Sequence, residues 1–243
     1  MKKVGILVLA LALVVGMSFG VIADNFADIE QSSNDKDNSA SAEAYLEQIG
    51  SGNETFLDQK TGSNTSGWPT FADITQDGDG NHADIIQSHS TSSTVHYLYL
   101  DQIGDDNEAI LKQTGRSSGD IDIDQLGDRN LIRLEQSLDY SEDSNFNMVQ
   151  DGNDNMVVGV GKNQYGMWLK DWDNASQAGS DFVGSQIGDD NKIGLNQGNN
   201  SSAVVDQIGN DNKVLLWQGD GGHIANVEQD GNNNISEVVQ TSN

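Results

Sequence analysis

One spacing recurs along most of this chain, and it limits the possible folds more than any other feature. The spacing is Gln-x-Gly-x-x-Asn, followed by a second Gln eleven residues after the first. Aligned on the first Gln, the units begin at Gln48, Gln76, Gln102, Gln125, Gln150, Gln186, Gln207 and Gln229. The glycines two residues on are Gly50, Gly78, Gly104, Gly127, Gly152, Gly188, Gly209 and Gly231. The asparagines are Asn53, Asn81, Asn107, Asn130, Asn155, Asn191, Asn212 and Asn234. The second Gln is Gln59, Gln87, Gln113, Gln136, Gln197, Gln218 or Gln240, and unit five departs with Gly161 in that place. In this alignment 15 of the 18 Gln fall in register. An active site has no use for many copies of one constellation, whereas a stack of equivalent layers does.

Between the polar anchors the period is two. Leu46 and Ala44, Ile74 and Ala72, Leu100 and Leu98, and Ile123 and Ile121 stand two and four residues before the first Gln. Ala83 and Ile85, Ala109 and Leu111, and Val214 and Leu216 stand seven and nine after it, with polar residues such as Asp101, Glu108 and Lys213 between. Such alternation predicts strands with one buried face. Gly and short polar residues between the strands predict the turn, where positive φ is tolerated. Carboxylate pairs such as Asp105 and Asp106 read as solvated turn residues. The expected fold is all-β: a β-solenoid of strand-turn-strand (β-arch) units, stacked as two parallel in-register sheets.

Unit spacings are 28, 26, 23, 25, 36, 21 and 22 residues, and the variation falls after each second Gln. A solenoid tolerates insertions at a corner, and the stretch 162–179 reads as one; the only Pro, Pro69, falls in a connection. The organisation expected is a leader at 1–23, a polar segment at 24–41, eight repeats over 42–240 and a tail at 241–243. The polar segment carries Ala27, Ile29 and Gln31 in partial register, which fits either a half-unit or a flexible segment. Buried amides are tolerated only when hydrogen-bonded, so the Gln and Asn are expected to form ladders from layer to layer. Each amide would donate to one neighbour and accept from the other, and a slip in register would leave several unsatisfied.

Lys2 and Lys3, an apolar run and Val21-Ile22-Ala23 have the order of a secretory signal peptide with cleavage after Ala23. There is no Cys, so no disulfide framework is available. Lys plus Arg number 12 against 38 Asp plus Glu, a formal net charge of −26, and losing Lys2 and Lys3 makes it more negative. Such a polyanion excludes nucleic acid as a partner and favours solubility and self-repulsion.

With these residues in view, the pattern resembles the curlin repeat of curli fibre subunits, Ser-x5-Gln-x4-Asn-x5-Gln. Unit seven matches in full with Ser201, Gln207, Asn212 and Gln218, and Ser144 and Ser180 head units five and six. Elsewhere the Ser place holds Ala42, Thr70, His96, Gly119 and His223. The resemblance implies a secreted functional amyloid of bacteria. Its subunits cross the outer membrane unfolded through a dedicated secretion machinery. They then polymerise with themselves and other subunits of the type into fimbria-like fibres of the biofilm matrix, which serve cell adhesion. It implies no cofactor. The 162–179 insertion and Gly159 and Gly161 depart from the family pattern.

Unit eight keeps every anchor and the first full unit follows a polar lead, so both edges are expected to be open to further strands. A monomeric secreted β-solenoid adhesin, with or without cation binding, is the alternative. A calcium loop is disfavoured at 77–88, where His82 and Ser88 replace the required Gly and Glu. Catalysis is disfavoured too: His82, His89, His96 and His223 fall at unrelated places, and no Gly-x-Ser-x-Gly elbow occurs. Trp217 is expected to point outward by alternation, as a lateral contact.

Overall fold

A computed structural model describes residues 12–13, 24–33, 42–61, 70–89, 95–116, 118–138, 143–163, 166–170 and 173–242. Ala23, Trp68, Pro69 and Trp172 lie outside the described residues. Every described element is a strand. In chain order these are β1 (Ala12–Leu13), β2 (Phe26–Ser33), β3 (Ala42–Ile49), β4 (Glu54–Thr61), β5 (Thr70–Asp77), β6 (His82–His89) and β7 (His96–Ile103). There follow β8 (Glu108–Gly115), β9 (Gly119–Leu126), β10 (Leu131–Leu138), β11 (Ser144–Asp151), β12 (Met156–Asn163), β13 (Gly166–Lys170) and β14 (Ala175–Ala178). The last six are β15 (Asp181–Ile187), β16 (Lys192–Gln197), β17 (Ser202–Ile208), β18 (Lys213–Gln218), β19 (Ile224–Asp230) and β20 (Ile235–Gln240).

Sheet A consists of the short β1 followed by the first strands of successive units, in the order β1-β3-β5-β7-β9-β11-β15-β17-β19. Second strands form sheet B, which runs from β2 through β4, β6, β8, β10, β12, β14, β16 and β18 to β20, with β13 on its margin. Pairing is parallel and in register throughout the repeat, so Gln76 lies opposite Gln102 and Gln87 opposite Gln113. The β-arch solenoid expected from the alternation is therefore the fold observed. One continuous core fills the space between the sheets, and Ala72, Ile74, Ala83, Ile85, Ile121, Ile123, Ile132 and Leu134 are at most 1% exposed. Layers with a small residue compensate with a large one. Gly184 replaces a branched residue in unit six, and Phe146 and Phe182 stack beside it with centroids 5.0 Å apart. Volume is conserved across the layer, as close packing requires.

Two segments differ from the expectation or resolve it. Residues 26–33 are a strand: β2 pairs with β4 over its whole length, Gln31 opposite Gln59. This is the second half of a unit, built on Asn25 and Gln31. The long insertion opens inside a strand rather than at the corner after it. Met156 and Val157 pair with β10, and the layer resumes where Ala175 to Ala178 pair with Leu134 to Ser137. In between, β12 turns back on β13 as an antiparallel hairpin, with Gly161 opposite Trp168. Removing 159–174 from the alignment makes unit five regular, with Ala175 in the apolar place and Gln177 in the place of the second Gln. Gly161 is thus a hairpin residue. A Cβ there would lie 2.4 Å from the Trp168 ring.

The hairpin covers the outer face of sheet B. Val160, Met167 and Leu215 form a second buried cluster with Leu169 and Trp217 against it, above Gly194. Trp217 does leave the core side by alternation, but it is half-buried in this cluster and is not a free lateral contact.

Candidate functional site

Each unit places its two Gln on the inner face because both occupy the same parity as the apolar residues. Gln48 Nε2 donates to Gln76 Oε1 at 2.7 Å. The same bond continues through Gln102, Gln125, Gln150, Gln186, Gln207 and Gln229 at 2.8–2.9 Å. A second ladder runs from Gln31 through Gln59, Gln87, Gln113 and Gln136 to Gln177 at 2.7–3.1 Å. It resumes from Gln197 through Gln218 to Gln240. The step between Gln177 and Gln197 is broken: Gln177 Nε2 turns to the Asn145 and Ser180 carbonyls, and Gln197 Oε1 is buried without a partner.

The amides also bind the sheets to each other. The remaining N–H of Gln76 meets the Glu54 carbonyl of sheet B at 3.2 Å, and that of Gln87 meets the Phe71 carbonyl of sheet A at 3.2 Å. Each ladder Gln thus satisfies one neighbour above and one strand across the core. Apart from the terminal Gln31 and Gln240 these side chains are essentially inaccessible, so a lost partner would cost about 1–3 kcal/mol.

The Asn ladder keeps the expected amide-to-amide bond at several steps, with Asn107 Nδ2 donating to Asn81 Oδ1 and Asn130 Nδ2 to Asn107 Oδ1 at 3.1 Å, and adds backbone contacts to it. Asn81 Oδ1 accepts the backbone N–H of Asn107 at 3.0 Å, while Asn81 Nδ2 donates to the Gly104 carbonyl at 2.8 Å. The arrangement repeats from Asn53 to Asn212, and Asn25 extends it at the N-terminal end by accepting from Asn53 N–H. Asn therefore fastens the turn of one layer onto the turn of the next.

A further ladder was not expected from the sequence. The residue after each turn Gly is Asp79, Asp105, Asp128, Asn153, Asp189, Asn210 or Asn232, and its side-chain oxygen accepts the backbone N–H of its counterpart one layer before, at 2.8–3.0 Å. Asp105 is therefore a ladder acceptor rather than a merely solvated turn residue. The signal was present: Asp or Asn fills this place in seven of eight units, Ser51 being the exception. Asp106, its neighbour, holds φ +56°, the left-handed place filled by Gly52 and Gly80 in units one and two.

The turn glycines are required twice over. Gly104 has φ +117°, and a Cβ there would lie 2.1 Å from the carbonyl oxygen of Gly127 in the next layer. Successive turns stack too closely for any side chain.

Charge is distributed unequally. No strand of sheet A carries Lys or Arg, while Lys112 and Glu135, and Arg133 and Glu108, pair on sheet B at 2.7 and 3.0 Å. On sheet A, Asp101 lies directly opposite Asp124. Partial burial, then Asp101 and Asp122, hold the Asp124 carboxyl above the ordinary carboxylate range. Asp73 and Asp120 are raised in the same way, by burial first and then by neighbouring carboxylates. Asp154 is lowered by its hydrogen bond to Arg129. Among the described residues no cluster of three His, Asp or Glu is arranged to hold a metal ion.

The repeat, more than any pocket, is the feature that known families can be compared with. The curlin associated repeat model matches residues 71–115. Residues 71–115 therefore match the curlin repeat. The matched stretch holds nearly all of units two and three, from β5 to β8, and every other unit stacks on them in the same register. No curated protein and no solved structure matches the chain. A β-solenoid of curlin repeats bound by Gln ladders fits a structural protein of the curli type.

Proposed function

We propose that this chain is a secreted structural protein that self-assembles into curli-like amyloid fibres of the bacterial cell surface and biofilm matrix. Its partners are further copies of itself, other curli-type subunits and an outer-membrane secretion machinery of that type. Its role is structural rather than enzymatic.

The observation that carries this reading is the polarity of the ladders. In both Gln ladders Nε2 donates toward the C-terminal end, so Gln229 and Gln240 stand at the donor end. Gln31 and Gln48 stand at the acceptor end. Gln229 Nε2 there adds Ser236 Oγ to its cross-core bond with the Lys213 carbonyl, and Gln240 Nε2 keeps only its cross-core bond to the Ile224 carbonyl. Donors facing acceptors make head-to-tail stacking favourable, and donors facing donors make the two-fold alternative unfavourable. A heterologous contact of this kind does not close, and it yields a filament.

The test is fibre growth from purified residues 24–243, followed by microscopy and thioflavin fluorescence. Fibres are expected, and Gln229→Ala with Gln240→Ala should slow elongation on wild-type seeds. A stable monomer at high concentration would sink the reading and leave the monomeric adhesin.

A further inference from the structure

The ends of the stack differ in strand count as well as polarity. Within 24–242 sheet A has one strand for each of the eight units, while sheet B has those eight layers and β2 in addition. Cross-core bonds fix the stagger. Gln76 of β5 reaches the Glu54 carbonyl of β4, and Gln87 of β6 reaches the Phe71 carbonyl of β5, so strands of the two sheets alternate along the axis. β2 obeys the same rule, because Gln48 of β3 reaches the Phe26 carbonyl at 3.2 Å. The next strand outward from β2 would belong to sheet A, on the open edge of β3. In the full chain that edge holds a strand of the leader: β1 runs parallel to β3, Ala12 opposite Leu46 and Leu13 opposite Glu47.

At the other end β20 is outermost, with Gln240 bonded to the Ile224 carbonyl of β19. Head-to-tail contact would bring β20 onto β2, one sheet-B strand onto another. β19 and the next copy's β3 would then stand two strand spacings apart, about 9.6 Å. One sheet-A strand is missing from such a junction.

We infer that the mature N-terminal end is a slot one strand wide, and that it takes a single parallel strand from another polypeptide bearing the first-half pattern of the repeat. That pattern is two alternating apolar residues followed by Gln-x-Gly. The edge of β3 supplies the ladder of backbone groups. Ala27, Ile29 and Ala44, which are only partly buried against the core, supply the apolar wall. Gln48 Oε1 is the acceptor for the incoming Gln, as Gln76 Oε1 is for Gln48. Gln31, placed as Gln59 is, supplies an N–H for the incoming backbone carbonyl, as Gln59 does for Glu43. Most second-half strands, those ending at Gln113 and Gln177 excepted, lack a Gly two residues after the Gln and would set the wrong turn against Gly50. In the precursor the leader strand occupies this edge, so the slot opens when the leader is removed. The inference rests on the head-to-tail reading for its place in a fibre, while binding at the slot is independent of polymerisation.

The test uses fluorescent peptides and chain 24–243, with binding read by anisotropy and folding by hydrogen exchange. The probe is the first-half peptide 201–209, SSAVVDQIG. Saturable binding at one peptide per chain is expected. Gln207→Ala in the peptide, or Ile29→Asp with Gln31→Ala in the chain, should weaken it about tenfold or more. The leader-bearing chain and the second-half peptide 213–218 should bind as weakly. No binding to an exchange-protected chain, equal binding of both peptides, or indifference to Ile29 and Gln31 would overturn the slot. Fibres from the same sample without peptide binding would reject the slot alone; binding without fibres would reject assembly alone.

Discussion

At the scale of single residues, the anchors are not interchangeable polar groups. Gln125 lies mid-ladder with bonds from Gln102 and to Gln150, and it also reaches the Glu108 carbonyl. Gln125→Ala should lower stability in denaturant titrations by about 1–3 kcal/mol for each partner left unpaired. Gly127→Ala should be at least as harmful, since its Cβ would sit 2.3 Å from the Gly152 carbonyl oxygen. Gly219→Ala is the control: its nearest neighbour would be 3.7 Å away, and the change should be within about 0.5 kcal/mol of neutral. Gln, Gly and Asn were legible in the sequence because burial and positive φ each demand one residue type. The Asp and Asn acceptors beside the glycines were hidden, because a solvated turn favours the same residues as a stacked one.

Titration follows from the same contacts. Asp73, Asp120 and Asp124 have raised carboxyl pKa values, so the folded state holds their protons more firmly than the unfolded chain does. Their stabilisation is full below the unfolded carboxylate pKa and is lost as pH rises through the raised values. Asp154, lowered by Arg129, acts in the opposite direction, losing stability as pH falls through its folded pKa. With three groups against one exposed pair, stability should rise as pH falls from neutral toward about 4. Denaturant midpoints across that range check this, and Asp124→Asn should flatten the profile. A midpoint that falls steadily on acidification would contradict it.

At the scale of elements, the strands followed directly from alternation, while unit five did not. Its second strand is divided by residues 159–174, and a spacing rule that assumes contiguous strands assigns Gly161 where Gln177 belongs. Val157 and Val158 before the excursion, and Ala175 with Gln177 after it, carry the interrupted pattern. Deleting 159–174 should therefore leave the stack intact and give unit five a spacing of about 20 residues to the next unit, close to its neighbours. It should also expose Leu215 and Trp217, which pack against the hairpin. Trp fluorescence should shift to the red while the circular dichroism of the sheets persists. Loss of the β signal would mean that the hairpin is needed to form the layer.

At the scale of the whole molecule, charge opposes what the ladders favour. Sheet A presents carboxylates in every unit and no Lys or Arg on its strands, so neighbouring copies repel through that face. Raising salt from low to physiological strength shortens the screening length to about 8 Å, and fibre formation should accelerate. Thioflavin kinetics at several ionic strengths check this, and rates indifferent to salt would remove repulsion as the brake. The polyanionic composition was legible from the sequence; its concentration on one sheet required the strand assignment. The half-layer at the N-terminal end was visible only as Ala27, Ile29 and Gln31 in partial register, because a single half-unit has no repeat of its own to reveal it.

Molecules are expected to join end to end, as their own layers stack. Solid-state NMR on fibres grown from a mixture of differently labelled chains measures this directly. Contacts between copies are expected from unit eight, at Gln240 of β20, to the N-terminal residues around Gln31 of β2. Contacts between identical residues of neighbouring copies, such as Gln125 with Gln125, would contradict it, since they would mean that each chain lies flat in a single layer.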